Sequence, residues 1–124
     1  MRICIDIDGV ICQLKLEGQT YEELLPVEGA AEKISSLRRS GHYIILNTAR
    51  HMKTCEGNTG KVLKRISLIT LQWLDKHDVE YDEIYFGKPW ANIYIDDNAY
   101  RFTSWDSIDN SGEFLPHSTE SKLK

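Results

Sequence analysis

The sequence has little cysteine, no long apolar run and no excess of positive charge. Its three cysteines, Cys4, Cys12 and Cys55, are an odd number without framework spacing. They read as reduced thiols in a cytoplasmic protein rather than as a disulfide scaffold. No apolar run approaches the roughly 20 residues that a membrane helix needs, which argues against a membrane partner. Charge interrupts Arg2-Ile3-Cys4-Ile5-Asp6 almost at once, so no signal peptide is expected there. The four histidines, His42, His51, His77 and His117, lack metal-ligand spacing. A net charge of -4 argues against a nucleic-acid partner, which calls for a basic face. Internal repeats and heptads are absent.

What is present is ordinary globular composition, 41% hydrophobic and 27% charged over 124 residues, enough for one domain. Arg2–Ile7 reads as a buried central strand of a parallel sheet. Val10–Leu16 has strand character and could form a flap, closed by a turn at Glu17-Gly18-Gln19. Gly29–Ser40 reads as a helix with Ala30, Ile34 and Leu37 on one face, stopped at Gly41. His42–Leu46 is the next strand, and 47–61 a polar loop. Val62–His77 is the clearest helix. Val62, Leu63, Ile66, Ile69, Trp73 and Leu74 form its stripe, with Thr70 the one polar residue on it. Glu83–Phe86 and Asn92–Ile95 are short strands. Thr103–Asp109 is a helical turn or two, and 110–124 a polar tail. Strands alternating with helices give an α/β fold with a parallel sheet, over a domain spanning 1–109.

The chemistry concentrates in Asp6-Ile7-Asp8-Gly9. Two carboxylates at the exit of a buried strand are costly unless something positive lies near them. A divalent cation such as magnesium, held by oxygen ligands, answers that need. Such a pair can also divide labour between nucleophile and proton donor. The competing reading makes Asp8-Gly9 a plain hairpin turn. Three further polar groups weigh against it, because each follows an apolar strand. They are Thr48 after Tyr43–Leu46, Lys88 after Glu83–Phe86, and Asp96-Asp97 after Asn92–Ile95. The carboxyl ends of strands are where an open parallel sheet binds its ligands.

Asp6-x-Asp8-Gly9, Thr48, Lys88 and Asp96-Asp97, in that order, resemble the four motifs of the haloacid dehalogenase (HAD) superfamily of phosphohydrolases. The likeness runs from Met1 to about Ile108. The chain is also similar to small bacterial capsule or lipopolysaccharide biosynthesis phosphatases. Cys55-Glu56-Gly57-Asn58 with Gly60-Lys61, Trp73-Leu74-Asp75-Lys76-His77 and Gly87-Lys88-Pro89-Trp90 carry that closer likeness. Val10 departs from the threonine usual in the superfamily. The resemblance implies a three-layer sandwich with a central parallel sheet in the order 5-4-1-2-3 or a shortened form of it. It also implies a Rossmann-like core of the capless type. Asp8 and Thr48 are 40 residues apart, as are Thr48 and Lys88. Each interval is largely committed to core elements, leaving room for a flap or loop but not a cap domain.

On this reading Asp6 is the nucleophile, and Asp8 protonates the leaving oxygen and then activates water. Thr48 donates to a phosphoryl oxygen. Lys88 offsets the charge of Asp6 and of the phosphoryl group. Asp6, Asp8, Asp96 and Asp97 are the expected magnesium ligands. The resemblance implies a direct role for Asp96 and a water-mediated one for Asp97, with Asp8 contributing its carbonyl. Arg50, Gly9 and Asn47 are candidate substrate contacts. Arg50 opens a basic cluster with His51, Lys53 and Lys61. Gly57–Lys61 has the wrong glycine spacing for a phosphate loop, and Val62 stands where Ser or Thr is needed.

The expected function is a magnesium-dependent phosphomonoester hydrolase acting through an aspartyl-phosphate. Its substrate would be a small phosphorylated metabolite, such as a sugar or polyol phosphate of surface polysaccharide biosynthesis. The alternatives are a polynucleotide 3′-phosphatase, which the net charge disfavours, and a non-catalytic phosphate-binding or scaffold protein on the same fold. The lack of a cap leaves the site open to water; either a large substrate acts as its own lid or a neighbouring subunit closes the site, and a homo-oligomer is the favoured expectation.

Overall fold

A computed structural model describes residues 1–116. Its elements are β1 (Arg2–Asp6), α1 (Ala30–Arg39), β2 (Tyr43–Thr48), α2 (Thr59–Lys76) and β3 (Glu83–Phe86). Single 3-10 turns stand at Tyr21–Glu23 and Trp105–Ser107. The fold is α/β, with a three-stranded parallel sheet in the order β1-β2-β3. Asp6 lies opposite Asn47, and Asn47 opposite Tyr85. The strand exits of β1, β2 and β3 are therefore level, and their next residues share one end of the sheet.

Period-2 alternation divides the sheet into two faces. Ile5, Ile7, Ile44 and Leu46 are buried together with Ile34 and Leu37 of α1 and with Trp73 and Leu74 of α2. Both helices thus pack on the same face, as right-handed crossovers between strands in sequential order require. Cys4, Tyr43, Glu83 and Tyr85 line the other face, which stays open, with Cys4, Tyr43 and Tyr85 exposed. Arg2 braces that face through a 3.1 Å ion pair with Glu83 and by stacking on Tyr43. Leu46 is completely buried beneath both helices. Leu46→Ala should cost roughly 2–5 kcal/mol through lost transfer energy and the cavity left behind. Urea unfolding with an unchanged slope would measure it.

Several expectations need correction. The Asp6 strand is not central among the described residues, because β1 pairs with β2 alone. Asn92–Ile95 is not a strand, and all of 89–101 is exposed and irregular. With no α-helix after β3, no third layer forms among the described residues. Val10–Leu16 is a turn and loop, tied down by isolated bridges from Cys12 to Asp8 and Pro26. Helix α2 starts earlier than its apolar stripe, because Asn58 caps it by accepting the Lys61 backbone N–H. Gly57–Lys61 is therefore a helix start. Leu63 lies largely outside the stripe at 44% exposure, while Thr70 is fully buried within it.

The stretch from Asn110 to Pro116 is seated rather than frayed. Gly112 takes φ +69° and packs so closely on Leu37 and His42 that a Cβ there would stand 2.9 Å from each. The Ser111 carbonyl accepts from His42 Nε2, and Leu115 packs on the core. The rest of the expected tail, 117–124, lies outside the described residues. Among those described, no helix is long and apolar enough to cross a membrane.

Candidate active site

Asp6 ends β1, and Ile7 bends the chain so that Asp8 leaves the strand's alternation. The two carboxylates consequently meet different partners. Asp6 accepts an ion pair from Lys88 Nζ at 3.6 Å. Asp8 Oδ2 accepts from the Thr48 hydroxyl at 2.8 Å, and Asp8 Oδ1 from Arg50 Nε at 2.8 Å. Gly9 supplies the turn that follows, at φ +84°, with its N–H donating to the Cys12 carbonyl. That left-handed conformation favours glycine. Asn47 fixes the base of the site through its backbone, its carbonyl accepting the Ile7 N–H at 3.1 Å. Lys88 is held likewise, its N–H donating to the Thr48 carbonyl. Asp6, Asp8, Thr48 and Lys88 thus converge at one end of the sheet.

Arg50 departs from its expected role as a substrate contact. Its side chain is only 1% exposed. Besides Asp8 it donates to Thr70 Oγ1 at 3.0 Å and to Cys12 Sγ at 3.3 Å, and it stacks on Tyr21 with Cζ 4.3 Å from the ring centre. The backbone N–H of Arg50 also donates to Thr48 Oγ1. The guanidinium fork is spent on orienting Asp8, a use that suits its fixed planar geometry. The rest of the basic cluster disperses. His51 lies against Tyr21, Lys53 is exposed over Trp90, and Lys61 is exposed in the first turn of α2.

Thr70, Cys12 and Tyr21 are the members that sequence reasoning did not assign. For Thr70 a signal existed, since a polar residue on an apolar stripe must find a buried partner. Cys12 donates to Asp8 Oδ1 at 3.7 Å. Burial, with Asp8 adding to it, pushes its thiol up to about 11, so Cys12 stays a neutral donor. Burial also raises the Asp6 carboxyl from its ordinary value. Lys88 opposes that shift, and the charge of Asp8 reinforces it.

Asp96 and Asp97 do not join this group. They lie in the exposed stretch, where Asp96 Oδ1 accepts the Asp97 N–H at 2.9 Å. Magnesium takes near-octahedral oxygen ligation, usually with one or two carboxylates and several waters. In a single chain, Lys88 engages Asp6 and three donors engage Asp8. Among the described residues no group of three or more His, Cys, Asp or Glu side chains gathers for a metal. Asp6, partly exposed beside Lys88, is the carboxylate at this end of the sheet that would meet such an ion.

No family model matches the chain, and no curated protein matches it. A solved structure does. The crystal structure of a Vibrio cholerae protein, an MCSG target, is 36% identical, with a TM-score of 0.74. The match covers 97% of this chain and 91% of that one. With that identity over nearly the full length of both, the chain belongs to the same family as the Vibrio cholerae protein.

Proposed function

We propose that this protein is a phosphomonoester hydrolase of the haloacid dehalogenase type. On this proposal its core is a shortened, capless form of that fold, and it acts on a small phosphorylated metabolite. A sugar or polyol phosphate of surface polysaccharide biosynthesis is the preferred class. One observation carries the reading: Asp6 with Lys88, and Asp8 with Thr48 and Arg50, meet at the carboxyl end of a parallel sheet.

Asp6 Oδ attacks phosphorus, and the bond to the leaving oxygen breaks. Asp8 gives that oxygen a proton, leaving an aspartyl-phosphate. Asp8 then takes a proton from water as the water attacks the intermediate, releasing phosphate and restoring Asp6. Arg50, Thr48 and Cys12 hold Asp8 in place for both transfers. Lys88 offsets the charge that gathers on Asp6 and the phosphoryl oxygens.

The test is phosphate release from a panel of phosphorylated metabolites and para-nitrophenyl phosphate. Turnover with magnesium is expected, lost in excess chelator and restored by added magnesium. Activity that persists in excess chelator would remove the metal from the proposal. Failure to hydrolyse any phosphomonoester would remove the hydrolase itself.

A further inference from the structure

The segment 89–101 is at odds with its own composition. Ile93 is 70% exposed and Ile95 95%. Isoleucines at alternate positions followed by a carboxylate describe a buried strand, not a solvated loop. The same sequence shows what such a strand would match. Asn92-Ile93-Tyr94-Ile95-Asp96 repeats the pattern of Arg2-Ile3-Cys4-Ile5-Asp6, which is β1. Among the described residues β1 in turn pairs with β2 alone, which leaves its other edge without a strand. An unpaired edge of backbone N–H and C=O groups is a template for another strand.

Laid parallel on that edge with Asp96 beside Asp6, the segment would set Ile93 and Ile95 on the helix-covered face with Ile3 and Ile5. Tyr94 would fall beside Cys4 on the open face. A chain cannot deliver this strand to itself. Only four residues, Pro89 to Asn92, separate Lys88 from Ile93. From Lys88, which lies past the end of β3 with its N–H on the Thr48 carbonyl, the chain would have to cross three strand spacings and descend at least four residues, roughly 19 Å even straight through the sheet. Five residue steps reach roughly 17 Å when fully extended. Parallel strands in fact need crossovers of a dozen or more residues. The alternative within one chain, an antiparallel strand entered across the top, would carry Asp96 to the far end of β1, away from Asp6. The contacts that the segment makes with its own chain include cation–π pairs, Lys88 to Tyr94 and Lys53 to Trp90. Each is worth only about 1 kcal/mol.

We infer that two copies of this chain exchange the 92–96 segment, each laying it as a parallel strand on the open β1 edge of the other. The exchange is two-fold and isologous. It buries Ile93 and Ile95 and gives the β1 edge a partner. It also places Asp96 and Asp97 of one copy beside Asp6 and Asp8 of the other. Resting on the hydrolase reading, this gathers the four carboxylates expected to hold magnesium from two chains.

The experiment reads assembly and activity separately. Light scattering should give a dimer. Tyr94→Cys should form a disulfide with the exposed Cys4 of the other copy, since neighbouring strand positions meet disulfide geometry. The product is a covalent dimer on a non-reducing gel, lost when Cys4→Ser is added. Cys12 and Cys55 are buried and do not compete. A monomer in solution, or a disulfide closed within one chain, overturns the exchange.

Co-expressed Asp6→Asn and Asp96→Ala chains, each inactive alone, should regain para-nitrophenyl phosphate hydrolysis with magnesium, through one intact site per mixed dimer. Mixed dimers that stay inactive while wild type turns over overturn the shared site. A cross-linked dimer without hydrolase activity in wild type would uphold the exchange and remove the hydrolase reading. Full activity in a strict monomer would do the reverse.

Discussion

Asp6→Asn should lose at least on the order of 10³-fold in turnover, as removal of a nucleophile does, while keeping the wild-type circular dichroism spectrum. Asparagine matches the shape of aspartate and keeps the end of β1 intact, but it cannot form the aspartyl-phosphate. The same variant should be at least as stable as wild type at neutral pH. Burial raises the Asp6 carboxyl in the folded protein, against the pull of Lys88. The folded state therefore binds that proton more tightly than the unfolded chain does. Above its folded value the ionised carboxylate costs stability. As pH falls through that value toward the unfolded one, the wild type recovers the cost. The melting temperature of Asp6→Asn should thus match or exceed that of wild type at neutral pH, with the margin narrowing in acid. A well-folded Asp6→Asn protein with full turnover would end the nucleophile assignment.

Arg50→Met should be the most damaging single change outside the reacting carboxylates. Breaking a buried ion pair costs roughly 3–5 kcal/mol, and the partial exposure of Asp8 reduces this to about 2–4 kcal/mol. The substitution strips a donor from Asp8 and leaves Thr70 Oγ1 and Cys12 Sγ without the guanidinium. Two readouts separate orientation of Asp8 from contact with substrate. Loss of a substrate contact raises KM and leaves stability little changed. Loss of a positioning residue lowers kcat and the unfolding midpoint together, with no substrate present for the latter. Arg50→Lys should recover little, because a single ammonium cannot hold Asp8, Thr70 and Cys12 at once. A double-mutant cycle with Asp8→Asn measures the coupling directly. A coupling energy near zero would refute the clamp.

Much of the fold was legible because its signals are local. Ile34 and Leu37 recur at helical spacing, and they are buried on α1. Glu83–Phe86 reads as a strand and is one. Asp8, Thr48 and Lys88 each follow an apolar strand, and in a parallel sheet all strand ends point the same way. Their convergence follows from order and direction alone. Boundaries were less legible. The start of α2 is set by the Asn58 cap rather than by its apolar stripe.

Arg50 shows where local reading stops. In sequence it is one of several cations after Thr48, and nothing nearby separates it from Lys53. Its burial comes from Tyr21, Thr70 and Cys12, which are distant in the chain and are gathered only when α2 and the loop after β1 pack together. Asn92–Ile95 shows the opposite failure. Its alternation is that of a strand, but alternation says nothing about reach, and four residues after Lys88 cannot return the chain to the start of the sheet. The strand character of β1, β2 and β3, the two helices, the parallel sheet and the row of Asp8, Thr48 and Lys88 at its carboxyl end are legible locally, because they depend on periodicity and direction. Packing between segments makes Arg50 clamp Asp8, leaves β1 paired with β2 alone among the described residues, and puts Asp96 and Asp97 in an exposed stretch. Those facts depend on distances between segments, which no local pattern encodes.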